Sequence, residues 1–206
     1  MWRDRFLACI DELKQHPDVD VWMGGEVDDP PSAEELDRAE REFGAPLPKG
    51  IRELYEELGG VNVTWGHRTQ QSVGGIFNIG PALLSFGKSD FEVRAFDYIV
   101  DMSPAPSSVY YAGYDPEGDP NQLLWVYYSE NEKTPDGQKF IDARPLSLTL
   151  EEYLEAMLRS RGFAFWQEAF ASPAAQTPAA GNVAVMKRVM PELFSDFDPA
   201  TFGASG

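Results

Sequence analysis

Between Ser32 and Gly60 the sequence SAEELDRAEREFGAPLPKGIRELYEELGG sets two apolar helical stripes on either side of a proline-bearing elbow. Ser32 and Glu35 form an S-x-x-E capping box, which satisfies free amide donors at a helix start and contributes about 1 kcal/mol. Leu36, Ala39 and Phe43 recur at i, i+3 and i+7 along one face. Gly44 follows, where a left-handed cap favours glycine. Ala45-Pro46-Leu47-Pro48 cannot continue the helix, because each proline lacks an amide hydrogen and restricts the residue before it. Ile51, Leu54, Tyr55 and Leu58 then mark a second helix, which Gly59-Gly60 closes. The stretch predicts a helical hairpin with a rigid corner.

The run Ala39-Glu40, Phe43-Gly44, Leu47-Pro48, Ile51, Leu54-Tyr55, Leu58, Gly59-Gly60 resembles the opening signature of the SUKH superfamily. That group includes the yeast cell-wall regulators Smi and Knr and consists mostly of bacterial toxin-immunity proteins. Here Gly59-Gly60 is followed by Asn62, where many members place Asn just before Gly. Residues 146–158 resemble the family's closing helix, so the resemblance covers 32–158, with its first motif the more specific part. It implies a SUKH-like α+β domain and a protein that binds another protein.

The chain has 206 residues, 43% hydrophobic and 13% aromatic, a composition that suits a packed core rather than disorder. No apolar run approaches the ~18 residues that a membrane span requires. Met1-Trp2-Arg3-Asp4-Arg5 lacks the apolar core of a signal peptide, and Cys9 is the single cysteine, so a cytoplasmic protein without an intrachain disulfide is expected. Thirty-four acids against seventeen Lys plus Arg give a net charge of −17. Such a surface repels nucleic acid and anionic membrane and attracts basic proteins or cations. Residues 26–59 hold eleven acids against four bases, and residues 90–136 ten against two, whereas residues 160–206 hold four and three.

Along the chain, Trp2, Phe6, Cys9, Ile10 and Leu13 share one helical face that ends before Pro17, so Cys9 reads as a buried, inert thiol. Residues 24–31 read as an acidic, turn-rich link. After Gly60 the apolar period shifts to two, with Val61, Val63 and Trp65 on one face of a strand. Further strands are expected at 73–79, 82–86, 94–100, 109–114, 123–128 and 139–143, with a turn at Pro135-Asp136-Gly137. Short connections favour a mostly antiparallel sheet of about six strands flanked by helices. Thr149 and Glu152 form a second capping box, followed by Leu150, Tyr153, Leu154, Met157 and Leu158 on a wide apolar face. Phe163, Trp166 and Phe170 come next. After a Pro/Ala-rich linker at 172–181, a stripe of Val183, Met186, Val189 and Met190 leads to Leu193, Phe194 and Phe197. The expected division is an N-terminal helix and link at 1–31, a SUKH-like core at 32–158, and a helical C-terminal extension at 159–206. That extension is expected to pack back on the domain; the alternative is that its apolar stripe engages a partner or a second copy.

Catalysis has few candidates. His16 lies at a helix end, where the helix dipole gives it a structural role, and His67 lies in a polar loop without an H-E-x-x-H or G-x-S-x-G context. Asp115, Glu117, Asp119 and Asn121 alternate like calcium ligands, but Pro120 replaces the glycine of an EF-hand loop and Val126 its closing glutamate. No cofactor, metal or enzymatic activity is expected. An α+β binding protein is, and the resemblance makes it an immunity protein that holds a basic cognate toxin inactive, such as a nuclease or deaminase domain. The candidate contact residues are Asp115, Glu117 and Asp119, with Glu130, Glu132 and Trp65 behind them, placed by charge and loop position. The alternative is an intracellular regulator or scaffold of the Smi/Knr type, for example in cell-wall synthesis. An enzyme dependent on His67 is a third class.

Overall fold

The computed structural model describes residues 1–43, 46–47, 49–80, 108–114, 123–133, 139–171 and 181–203. The N-terminal stripe forms helix α1 (Trp2–Gln15), which buries Phe6, Cys9, Ile10 and Leu13 as its spacing predicts. The acidic link expected at 24–31 is in its first part, 24–28, the end of a strand. Val19–Asp28 is a ten-residue strand, β1, antiparallel to β2 (Gly60–His67), which pairs in turn with β3 (Gly74–Ile79). Its pattern is hidden because the register slips between Val21 and Met23 and again between Gly24 and Glu26. Each slip moves the side chains beyond it to the opposite face, so no simple alternation survives.

The hairpin at 32–60 forms α2 (Ala33–Phe43) and α3 (Lys49–Glu57). Both halves of its capping box are present: the Ser32 amide donates to Glu35 at 2.9 Å and the Glu35 amide to Ser32 Oγ at 3.3 Å. Leu36, Ala39, Leu47, Ile51, Leu54, Tyr55 and Leu58 are all buried. Strands β4 (Ser108–Tyr114), β5 (Leu123–Lys133) and β6 (Lys139–Pro145) form a second antiparallel sheet in that order. The α+β class with antiparallel pairing is therefore as expected. Among the described residues, however, the six strands pair as two three-stranded sheets and not as one sheet. The strands expected at 82–86 and 94–100, the turn at 135–137 and the cap at Gly44 lie outside the described residues.

Helix α4 (Leu150–Ser160) carries the second capping box and buries Tyr153, Leu154, Met157 and Leu158. It ends in a left-handed cap at Arg161 (φ 51°). The chain then runs along the free edge of β3, where the Ile76 amide donates to the Gly162 carbonyl at 2.7 Å and the Ala164 amide to the Gly74 carbonyl at 3.0 Å. After a 3-10 turn at Trp166–Ala169, helix α5 (Asn182–Leu193) and a final 3-10 turn at Pro199–Phe202 complete the described chain. Met186, Val189, Met190, Phe194, Phe197 and Phe202 enter the same apolar cluster as Phe6 and Leu54. The C-terminal segment thus contributes to the core that α1, the hairpin and β2 share.

Candidate functional site

The hairpin residues that carry the family resemblance have structural tasks. Glu40 accepts a hydrogen bond from the Leu47 amide at 3.0 Å, which ties the end of α2 to the elbow. Arg52 on α3 reaches Asp37 at 2.9 Å, Glu40 at 3.0 Å and Glu56 at 3.2 Å, and the hydrogen bond that it donates to Asp37 leads the contacts that hold its guanidinium above its usual range. The Tyr55 hydroxyl donates to the Gly80 carbonyl at 2.8 Å. At Gly59 a Cβ would lie 2.2 Å from the Asp29 carbonyl oxygen, so only glycine lets the end of the hairpin meet the end of β1. These residues build the fold.

Trp65, named from the sequence as a contact residue, is a core residue. It is 1% exposed, its indole N–H donates to the Arg161 carbonyl at 2.5 Å, and its ring meets Phe194 edge-on at 6.0 Å. The alternation that puts Val61, Val63 and Trp65 on one face is the reason, since that face is the buried one. Asp115, Glu117 and Asp119 lie outside the described residues. Glu130 and Glu132 fall in the stretch of β5 where its register with β6 shifts, between Ser129 and Lys133.

Other chemically capable side chains are engaged in structure. Burial pushes the Cys9 thiol up to about 12, which keeps it protonated. His16 Nδ1 accepts from the Asp18 amide at 3.2 Å, while Nε2 lies 2.8 Å from the Leu193 carbonyl and the ring packs on Phe194. This tautomer, with the proton on Nε2, joins the end of α1 to the end of α5. His67 Nδ1 accepts from the Thr69 and Gln70 amides at 3.1 and 3.2 Å and shapes the β2–β3 turn. Among the described residues no group of three or more His, Cys, Asp or Glu side chains is arranged to hold a metal ion, and no helix is long and apolar enough to cross a membrane.

Among the described residues, two surface features stand out. A half-open groove of about 550 Å³ runs between α4 and the C-terminal turn, floored by Leu148, Ala156, Phe170 and Phe202. Its glutamates are largely engaged. Glu152 closes the capping box and Glu155 pairs with Arg5, whose hydrogen bond holds the Glu155 carboxyl below the usual range. The second feature is on β1, where Trp22 is 61% exposed and Met23 48%. Trp22 is the extra residue of the first bulge, and its ring occupies the space over Gly66 that a side chain there would fill. The sequence does signal this place: two adjacent bulky apolar residues precede two glycines within an acidic stretch.

No protein-family model, curated protein or solved structure matches the chain.

Proposed function

We propose that the protein is a SUKH-type immunity protein, acting in the cytoplasm without catalysis, that binds a basic cognate toxin and holds it inactive. The observation that carries this reading is the net charge of −17. Solubility of a small domain needs a net charge of only roughly 2–8 in magnitude. A larger excess strains the compact state through self-repulsion, which is consistent with a surface used for binding. A negative surface of this size steers a cationic partner and raises association toward ~10⁸ M⁻¹s⁻¹ at low salt. The hairpin supports the family reading, because the motif residues Ala39, Leu47, Ile51, Leu54, Tyr55 and Leu58 are buried and Glu40 accepts the Leu47 amide across the elbow.

The test is capture from native lysate by the tagged protein at low salt, with elution along a salt gradient and identification by mass. The expected result is one basic effector domain released late, and protection of cells from that effector when both are expressed. Recovery of wall-synthesis or assembly proteins in its place would assign the chain to the Smi/Knr-type regulators. An effector that kills cells despite the protein would overturn immunity.

A further inference from the structure

We infer that the bulged face of β1, centred on Trp22 and Met23, is the docking surface for an arginine-bearing segment of the basic partner. The inference rests on the reading of the chain as a binder of a basic protein, and it moves the contact from the 115–119 loop to β1. Its first support is the backbone, which is shaped to display these side chains. Two register slips fall within six residues, and Gly24 and Gly25 adopt φ of 70° and 92°. A Cβ at Gly24 would stand 1.9 Å from the Asn62 carbonyl oxygen, and one at Gly25 would stand 2.7 Å from Lys14 Cε. Lys14 Nζ in turn donates to the Gly25 carbonyl at 2.7 Å, which fixes the bulge to α1. Bulges of this kind re-aim a side chain. At Gly66 a Cβ would lie 2.3 Å from Trp22 Cη2, so the glycine leaves the indole a platform. An aromatic ring held in place before binding loses little freedom on contact, which is what an interface anchor needs.

The second support is charge. Residues 18–29 contain five acids and no base. Asp20 pairs with Gly66, Met23 with Thr64 and Glu26 with Asn62 across the β1–β2 ladder, and Asn62, Thr64 and Gly66 alternate along one face. Asp20 and Glu26 therefore flank Met23 on the face where Trp22 covers Gly66. Asp20 is bridged to Arg68 at 2.9 Å, while Glu26 has no ion-pair partner among the described residues. A planar guanidinium can lie on an indole face and pair with a carboxylate beside it, a combination that lysine matches less well. A second copy of this chain is a poor occupant, since two surfaces of the same sign repel.

The test is titration of the whole protein at low salt with a short arginine–glycine peptide, followed by heteronuclear NMR and calorimetry, with a glutamate–glycine peptide as control. The expected result is that the Trp22 indole and the amides of 20–26 shift most. Trp22→Ala should weaken binding about tenfold, with native dispersion retained. Glu26→Gln should weaken it less and lower the salt dependence, and Leu7→Ala, an exposed apolar change on α1, should leave it unchanged. Binding that is unaltered in Trp22→Ala, with shifts mapped elsewhere, overturns the site and leaves the basic-partner reading intact. Failure of the arginine peptide to bind the wild type, with a basic effector still captured at low salt, overturns the site alone; failure of both overturns the basic-partner reading as well. Self-association that is lost in Trp22→Ala would assign the patch to a second copy and overturn the inference.

Discussion

Arg161 joins three parts of the molecule. Its guanidinium is buried, with Nη2 2.9 Å from Glu12 on α1 and 2.8 Å from Asp196 beyond α5, and it lies over the Phe194 ring at 4.8 Å. Its carbonyl receives the Trp65 indole. Burial opposes the charge, and the hydrogen bond with Asp196 and the charges of Glu12 and Asp196 outweigh it, so the group stays protonated above its ordinary range. Glu12 is 42% and Asp196 64% exposed, so both carboxylates regain water when the pair breaks, whereas the arginine does not. Glu12→Gln or Asp196→Asn alone leaves one partner and should cost about 1 kcal/mol. The double variant strands a buried cation and should cost about 3–5 kcal/mol, well above the sum of the two. Urea denaturation of the cycle measures this, and additive losses would refute the shared-cation account. None of these contacts is visible in the sequence, where Arg161 is one arginine beside a glycine, because its partners lie 149 and 35 residues away.

Elements defined by local chemistry were legible, and those defined by pairing were less so. Both capping boxes form where S-x-x-E and T-x-x-E place them, because donor and acceptor are three residues apart and need no tertiary help. Strand β1 is not legible in the sequence, because its two bulges and left-handed glycines have meaning only against β2. For the same reason the exposure of Trp22 and the burial of Trp65 could not be separated from sequence alone. Thr149→Ala should lower stability by about 1 kcal/mol at neutral pH. Hydrogen bonds from the Thr149 backbone and hydroxyl hold the Glu152 carboxyl below its usual range, as Ser32 does for Glu35 and Arg5 for Glu155. A carboxylate whose folded value is depressed stabilises the fold above its unfolded value, and the gain disappears as pH falls through the folded one. Stability should therefore decline below about pH 4. Glu152→Gln, which keeps an acceptor but does not titrate, should flatten that acid limb. Urea midpoints measured across pH 2–7 compare the two proteins, and identical limbs would remove Glu152 from the effect.

At the scale of the whole molecule, the C-terminal segment is a working part of the fold. The sequence could place its apolar stripe but not decide between packing on the domain and binding a partner, since both need the same helical spacing. The structure buries Met186, Val189, Met190, Phe194, Phe197 and Phe202 in the shared cluster, beside Trp65 and the α1 terminus. The segment is also nearly balanced in charge, in contrast to the acidic regions that precede it. Full burial of a large apolar side chain contributes about 1.5–3 kcal/mol, so these six supply roughly 9–18 kcal/mol. The whole stability of a typical domain is about 5–15 kcal/mol. A chain ending at Ala171 should therefore lose its cooperative thermal transition and be digested rapidly by protease, even though every residue of 32–158 is retained. Circular dichroism through a thermal scan and timed proteolysis test this directly. A truncated chain that still unfolds in one sharp step would make the segment a dispensable appendage, and its apolar face would then be available to a partner.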